Sequence, residues 1–313
     1  MLGQEITELL GIKYPVFQGA MAWIANAELA AAVSNAGGLG IIAAGNTPPD
    51  LLEKELIKIR ELTDKPYGMN VMLLSPTAPA AIELAAKYRI KVLTTGAGSP
   101  GKVIERLKPL GTKVIPVVAS TAVAIRAVRQ GAEAIIAEGM EAGGHIGELT
   151  TMVLTPLVVQ AVKVPVICAG GIVDGRGMAA AFAMGAKGVQ VGTRFVCSTE
   201  CTVHPNYKNA LVKSRERCTA VTGAPTGHPV RCIENKLTKE FLRLEYEHAS
   251  NEEIAKLGTG KLRAAVIDGD VEMGSVMSGQ SAALVNDILP CKEIIENMVF
   301  GAEKILKGLG ANA

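Results

Sequence analysis

Eight short apolar runs, each bounded by Gly or Pro, recur through the first two-thirds of the chain at a spacing of roughly 20 to 30 residues. They are Pro15–Gln18, Gly40–Ala44, Tyr67–Leu73, Lys91–Thr95, Lys113–Val118, Glu133–Ala137, Pro165–Ala169 and Gly188–Val191. They are too short for buried helices and rich in β-branched residues, so they read as strands apolar on both faces, as in a parallel sheet. Helical patterns lie between them at Ala27–Asn35, Asp50–Leu62, Pro79–Tyr88, Gly101–Leu110, Thr121–Gln130, Leu154–Val162 and Gly175–Met184. Their starts carry Asn26, Pro48-Pro49-Asp50 and Ser120-Thr121, which suit helix entry. Their ends carry Gly37-Gly38, Gly131 and Gly185, which suit helix exit. This succession of βα units predicts an α/β fold, a closed (β/α)8 TIM barrel, with an open doubly wound sheet as the alternative.

The rhythm changes after about Thr193. Residues 195–267 are polar, charged and mostly helical, with amphipathic patterns at Val203–Arg217 and Asn235–His248 and a loop at Gly223–Pro229. The expected organisation is a barrel over 1–194, a smaller helical subdomain over its mouth at 195–267, and a return segment at 268–313 whose helix, Cys291–Lys307, packs on the barrel.

The 313 residues include 49% apolar but only 4% aromatic side chains, which argues against base-stacking platforms for nucleic acid. Net charge is +2, so no global field points to nucleic acid or an anionic membrane. No apolar run has the length of a membrane span, and Met1–Tyr14 lacks the pattern of a signal peptide. The six cysteines show neither C-x-x-C nor zinc spacing, so a reduced, cytoplasmic protein with buried thiols is expected.

In a barrel, chemistry collects on the loops after strand C-termini, and here those loops are glycine-rich. Ala169-Gly170-Gly171 follows the seventh run, and Gln190-Val191-Gly192-Thr193 the eighth. Small residues there let backbone N–H groups, aided by a helix N-terminus, approach a phosphate. Taken singly, such glycines merely permit tight turns; two such loops at these positions favour phosphate binding. Glu138 opens the loop after the sixth run, where Gly143 and Gly144 expose His145 at the mouth. Gly19, Ala20 and Met21 follow the first run, ahead of the only tryptophan, Trp23. Asn70 ends the third, where an amide can read a heterocycle edge or serve as a satisfied core group. Thr95 belongs to the small-residue loop Thr94–Gly98. Together these outline a wide cup with a phosphate anchor at one end.

The chain resembles the flavin-dependent type II enoyl-acyl carrier protein reductases within the nitronate monooxygenase-like superfamily. The likeness spans nearly the whole chain. It rests on YPVFQGAMAWIA (14–25), SNAGGLGIIAAGN (34–46), MNVMLLSP (69–76), VLTTGAGSP (92–100), IAEGMEAGGHIGELTTM (136–152), CAGGIVDGRGMAAAFAMGAKGVQVGTRF (168–195), HPNYK (204–208) and DGDVEMGSVMSGQSA (268–282). The AGGH and phosphate loops are shared across the superfamily. Trp23, HPNYK and GSVMSGQ look closer to the reductases.

The resemblance implies FMN across the barrel mouth. Gly19, Ala20 and Met21 would meet the flavin by backbone, and Asn70, Thr95 and Glu138 would line it. Gly143 and Gly144 would pack near it. Ala169, Gly170, Gly171, Gln190, Gly192 and Thr193 would surround the phosphate, and His145 would be the catalytic residue. It further implies NADH or NADPH as reductant, an acyl carrier protein thioester as substrate, and a monovalent-cation dependence whose site it does not place. A homodimer is expected. Since acyl carrier proteins are acidic, Lys208, Lys213, Arg215, Arg217, Lys236 and Lys239 form a candidate docking face, or simply a solvated one. A nitronate monooxygenase, with the same flavin and His145 as base, is the alternative. A flavin-free phosphorylated-metabolite barrel is a further one.

Overall fold

The computed structural model describes residues 2–310. The eight apolar runs form one parallel sheet: β1 (Val16–Gln18), β2 (Gly40–Ala43), β3 (Tyr67–Met72), β4 (Val92–Gly96), β5 (Lys113–Val118), β6 (Ile135–Glu138), β8 (Val166–Ala169) and β9 (Gly188–Val191). The short strand β7 (Gly144–His145) lies outside it. The order β1-β9-β8-β6-β5-β4-β3-β2 brings the first two strands to its two edges. They meet through a Phe17–Leu39 bridge and close a (β/α)8 TIM barrel. At this seam the Gln18 N–H donates to the Leu39 carbonyl at 2.9 Å. The Gln18 amide oxygen accepts the Ile41 N–H at 3.1 Å, and its amide nitrogen donates to the Ile41 carbonyl at 3.3 Å. A side chain thus stands in for a missing peptide of the ladder.

The ring around the sheet is α2 (Ala27–Asn35), α3 (Pro49–Leu62), α4 (Ala78–Lys87), α5 (Gly101–Leu107), α6 (Thr121–Arg129), α7 (Thr151–Ala161) and α8 (Gly175–Ala183). Asn26 and Ser120 cap α2 and α6 by accepting the N–H of Leu29 and Val123. Gly131 and Gly185 take positive φ where α6 and α8 stop. The preceding α1 (Gln4–Leu10) sends Ile6 and Leu10 into the same cluster as the barrel interior.

Side-chain direction alternates along each strand. Phe17, Ile41, Val92, Ile115, Ile136 and Ile167 cluster inside the barrel. Their odd-step neighbours, such as Leu93, Val114, Ile135 and Val166, pack instead with the helices.

Beyond β9 come α9 (Thr193–Val196), α10 (Pro205–Val212), β10 (Thr219–Thr222), β11 (Val230–Ile233), α11 (Lys236–Tyr246), α12 (Asn251–Gly258) and α13 (Lys261–Arg263). The final α14 (Cys291–Gly310) packs against α8 and α2. It therefore completes the helical ring. Besides its helices, the region 195–267 carries two short strands that the helical patterns did not indicate: β10 and β11 pair antiparallel, and β11 also pairs with β7. This three-stranded sheet joins the inserted region to the loop after β6. No helix among the described residues is long and apolar enough to cross a membrane.

Candidate active site at the barrel mouth

Strand parity decides which predicted residues face the mouth. Asn70, Thr94, Glu138, Ala169 and Gln190 each lie two residues beyond an inward position, in the C-terminal half of their strands, on the lumen side. Thr94 accepts a hydrogen bond from the Asn70 amide at 2.9 Å, leaving the Asn70 carbonyl oxygen free for another partner. Thr95 has the parity of Leu93 and turns toward the helices, so the residue that lines the cup from β4 is Thr94, not Thr95.

The Glu138 carboxyl has no hydrogen-bond partner among the described residues, and burial pushes it up to about 7. Solvent still reaches part of it. A carboxyl deep in the protein yet open on one side is what the floor of a ligand cup presents.

The glycines divide into two groups. A Cβ at Gly143 would stand 2.5 Å from the Ser278 backbone, and one at Gly170 would stand 2.7 Å from the Thr151 hydroxyl. At these positions tight packing alone requires glycine. A Cβ at Gly192 would meet only Met21 Sδ, at 3.6 Å, and one at Gly171 would first meet Glu141 Cβ at 3.4 Å. At those two a Cβ would make only ordinary van der Waals contact, so crowding does not require glycine there. No protein acceptor among the described residues takes the N–H of Gly171, Ile172 or Gly192. Backbone donors without protein partners on two neighbouring loops could together receive an anion, as a candidate cradle. The expected helix contribution is partly spent: Asp174 already accepts the N–H groups of Arg176 and Gly177 at the start of α8.

Several groups hold the cradle. The Glu141 carboxylate accepts both the N–H and the hydroxyl hydrogen of Thr151 at 2.9 Å, fixing the loop after β6 to the start of α7. The Glu141 carbonyl accepts the Gln280 N–H at 3.0 Å. Thr193 accepts the Gly279 N–H at 3.0 Å and lies 3.5 Å from the Ser278 hydroxyl. Ser278, Gly279 and Gln280 therefore form a third wall that the residue-by-residue reading did not single out. Their signal was the SGQ within DGDVEMGSVMSGQSA, which was assigned to the return segment.

His145 sits on β7 opposite Val230 of β11. The neighbouring Arg231 is 4% exposed. It donates to the Met140 carbonyl and the Thr219 hydroxyl, both at 3.1 Å, locking the loop to the sheet. The His145 imidazole is reached by solvent but crowded by protein. Burial, and then the charge of His228, lowers its pKa from the usual histidine value. Exposed apolar groups follow β1 and β3: Trp23 is 36% and Leu74 68% exposed.

The proposed basic face is mixed. Lys208 is spent on the Ser198 carbonyl at 2.6 Å, Lys236 pairs with Glu272 and Lys239 with Glu234. Lys213, Arg215 and Arg217 remain exposed. Burial pushes the Cys168 thiol up to about 11 and that of Cys197 up to about 12, consistent with small core residues rather than nucleophiles. No group of three His, Cys, Asp or Glu side chains suited to a metal stands together among the described residues. A groove of about 450 Å³ lined by Gly3, Glu5 and Lys187 borders the loop before β9, at the opposite end from these residues.

Known proteins share this framework. The nitronate monooxygenase family model matches residues 4–81 and 77–301. The structure of FabK from Thermotoga maritima superposes with a TM-score of 0.96 at 49% identity, covering 98% of both chains. A probable nitronate monooxygenase of Staphylococcus saprophyticus is 35% identical, over 97% of this chain and 99% of its own length. An indene-carboxyl-CoA dehydrogenase of Rhodococcus jostii is 33% identical, over 99% and 98%.

Proposed function

The chain belongs to the nitronate monooxygenase family of oxidoreductases, and on that premise we propose that it is an FMN-dependent reductase of trans-2-enoyl thioesters, with NADH or NADPH as reductant and acyl carrier protein as the substrate's carrier. The observation that carries the reading is the set of open backbone donors at Gly171, Ile172 and Gly192 on the same barrel face as His145. The 49% identity with FabK over nearly the whole chain favours the reductase among the family's activities.

The residues present fit FMN. Gly171, Ile172 and Gly192 would receive its phosphate, and the SGQ wall braced by Thr193 would enclose that end. The Asn70 side-chain oxygen Oδ1 and the unpartnered Glu138 carboxyl would meet the polar ring edge. The chemistry a bound FMN supplies is hydride transfer, from a nicotinamide to the β-carbon of the enoyl thioester.

The protein's part is orientation and charge. As the β-carbon gains hydride, negative charge develops on the thioester oxygen, and a fixed donor there lowers the barrier. His145, with its pKa lowered, is neutral at pH 7 and offers one ring N–H to that oxygen. The α-carbon then takes its proton from solvent. Exposed Trp23 and Leu74 give the mouth an apolar rim suited to an acyl chain, and Lys213, Arg215 and Arg217 offer positive charge to an acidic carrier.

The family model and the staphylococcal relative support a second reading, oxidation of an alkyl nitronate with oxygen, in which His145 acts as a base. One pair of assays separates them. The reductase reading requires anaerobic NADH- or NADPH-dependent reduction of a crotonyl thioester. Oxygen uptake with a nitronate, without any crotonyl reduction, would replace it with the second.

A further inference from the structure

His145 has a neighbour of its own kind. The His228 ring lies 6.5 Å from it, centroid to centroid, at 82° between planes. The arrangement is built by backbone. Val230, two residues after His228, is in register with His145, and the Ile146 N–H donates to the Pro229 carbonyl at 3.1 Å. On the other side of His228, the 3-10 turn Ala224–Thr226 is bracketed by Gly223 and Gly227, both at positive φ. The Gly223 N–H is held by the Glu245 carboxylate of α11 at 2.5 Å. A Cβ on Gly223 would stand 2.7 Å from the His228 carbonyl oxygen, so the turn closes tightly on itself. The loop that carries His228 is thus fixed to the strand that carries His145.

We propose that His228 is a positioning residue for the chemistry at His145: positive charge on the His228 ring opposes protonation of the ring beside it and so favours the neutral, hydrogen-bond-donating form of His145. The proposal rests on the role given to His145 above. The physics is that of two like cations. At this separation a proton on one ring opposes a proton on the other. Other charged groups lie on the elements that carry or hold the pair. Glu141 and Glu148 lie on the His145 loop, Arg231 on β11, and Glu245 on α11. Arg231 is engaged with Met140 and Thr219, Glu141 with Thr151, and Glu245 with Gly223. Of the charged groups around it, His228 is the one that acts on His145 through its charge.

The test uses sign. The chain has only four histidines, so their ring C–H proton resonances can be assigned by single substitutions and titrated in the intact protein. His228→Gln removes the positive charge and should raise the His145 titration midpoint by about half to one pH unit. His228→Lys makes the charge permanent and should lower it by a similar amount. The acid limb of kcat/KM for the crotonyl thioester should follow in the same two directions. A purely structural role for His228 would move both variants the same way or neither, and either result overturns the proposal. The titration needs no turnover. If it shifts with opposite signs while the wild type reduces no enoyl thioester, the pair stands and the substrate reading falls.

Discussion

The Thr193 hydroxyl on the loop after β9 accepts the N–H of Gly279 at 3.0 Å, across 86 residues of sequence. That bond joins the β9 side of the cradle to the SGQ wall, which returns only after the whole inserted region has been built. Replacing Thr193 with Val leaves the Gly279 N–H without its acceptor, at a cost of about 1 kcal/mol. Thr193→Ser keeps the acceptor. FMN affinity measured by fluorescence titration should fall about fivefold in Thr193→Val and stay near wild type in Thr193→Ser.

A Cβ at Gly192 would meet only Met21 Sδ, at an ordinary 3.6 Å, and its φ of −106 is one that any residue adopts. A valine there should fold normally and fill the cradle. Gly192→Val should purify without the visible flavin bands while its far-ultraviolet circular dichroism matches wild type. Normal flavin content would remove Gly192 from the phosphate site.

His145→Ala should keep its FMN and lose crotonyl reduction by about 100- to 10,000-fold, the range for a positioned donor or acid–base group. For the wild type, the neutral-imidazole role fixes the sign of the pH dependence. Activity should fall as pH drops below the lowered His145 value and should hold from pH 7 to 8. A loss on the alkaline side instead would mean that the protonated ring is the active one.

Glu138 should make the flavin-free protein less stable at high pH. Its carboxyl titrates near 4.5 in the unfolded chain and at about 7 in the folded one. Between those values the folded state holds a proton that the unfolded state has released, so stability is full below the lower value and is lost as pH rises through the upper one. Urea midpoints of the stripped protein should therefore drop between pH 5 and pH 8, and Glu138→Gln should flatten that drop.

Gln18 supplies both a donor and an acceptor to the Ile41 backbone at the barrel seam. Gln18→Leu leaves those buried groups unpaired, at about 1 to 3 kcal/mol. The urea midpoint should fall accordingly, without a change in the spectrum of bound flavin.

The barrel was legible because strands buried on both faces read as unbroken apolar runs. The same property hid which residues face inward. A run such as Val92-Leu93-Thr94-Thr95 has no polar alternation to reveal its face, so the run alone does not separate Thr95 from Thr94, whose parity is that of the inward Val92. His145 was legible from its glycine-flanked loop, but the strand partner that fixes it was not. Gly144–His145 is a two-residue strand, and Thr219–Thr222 and Val230–Ile233 are four-residue strands in a stretch dominated by helical patterns. The SGQ wall was invisible to local reading for another reason: its contacts with Glu141 and Thr193 are made across more than 80 residues. Glycine spacing also could not separate Gly170, which packing requires, from Gly192, which opens on the cradle.

The most direct measurement is anaerobic stopped-flow mixing of the NADH- or NADPH-reduced holoprotein with a crotonyl thioester, followed at the visible flavin bands. Rapid recovery of the oxidised spectrum without oxygen, with one equivalent of saturated thioester formed, is the expected result. A flavin that stays reduced until oxygen is admitted, or a native protein that never carries flavin, would contradict it.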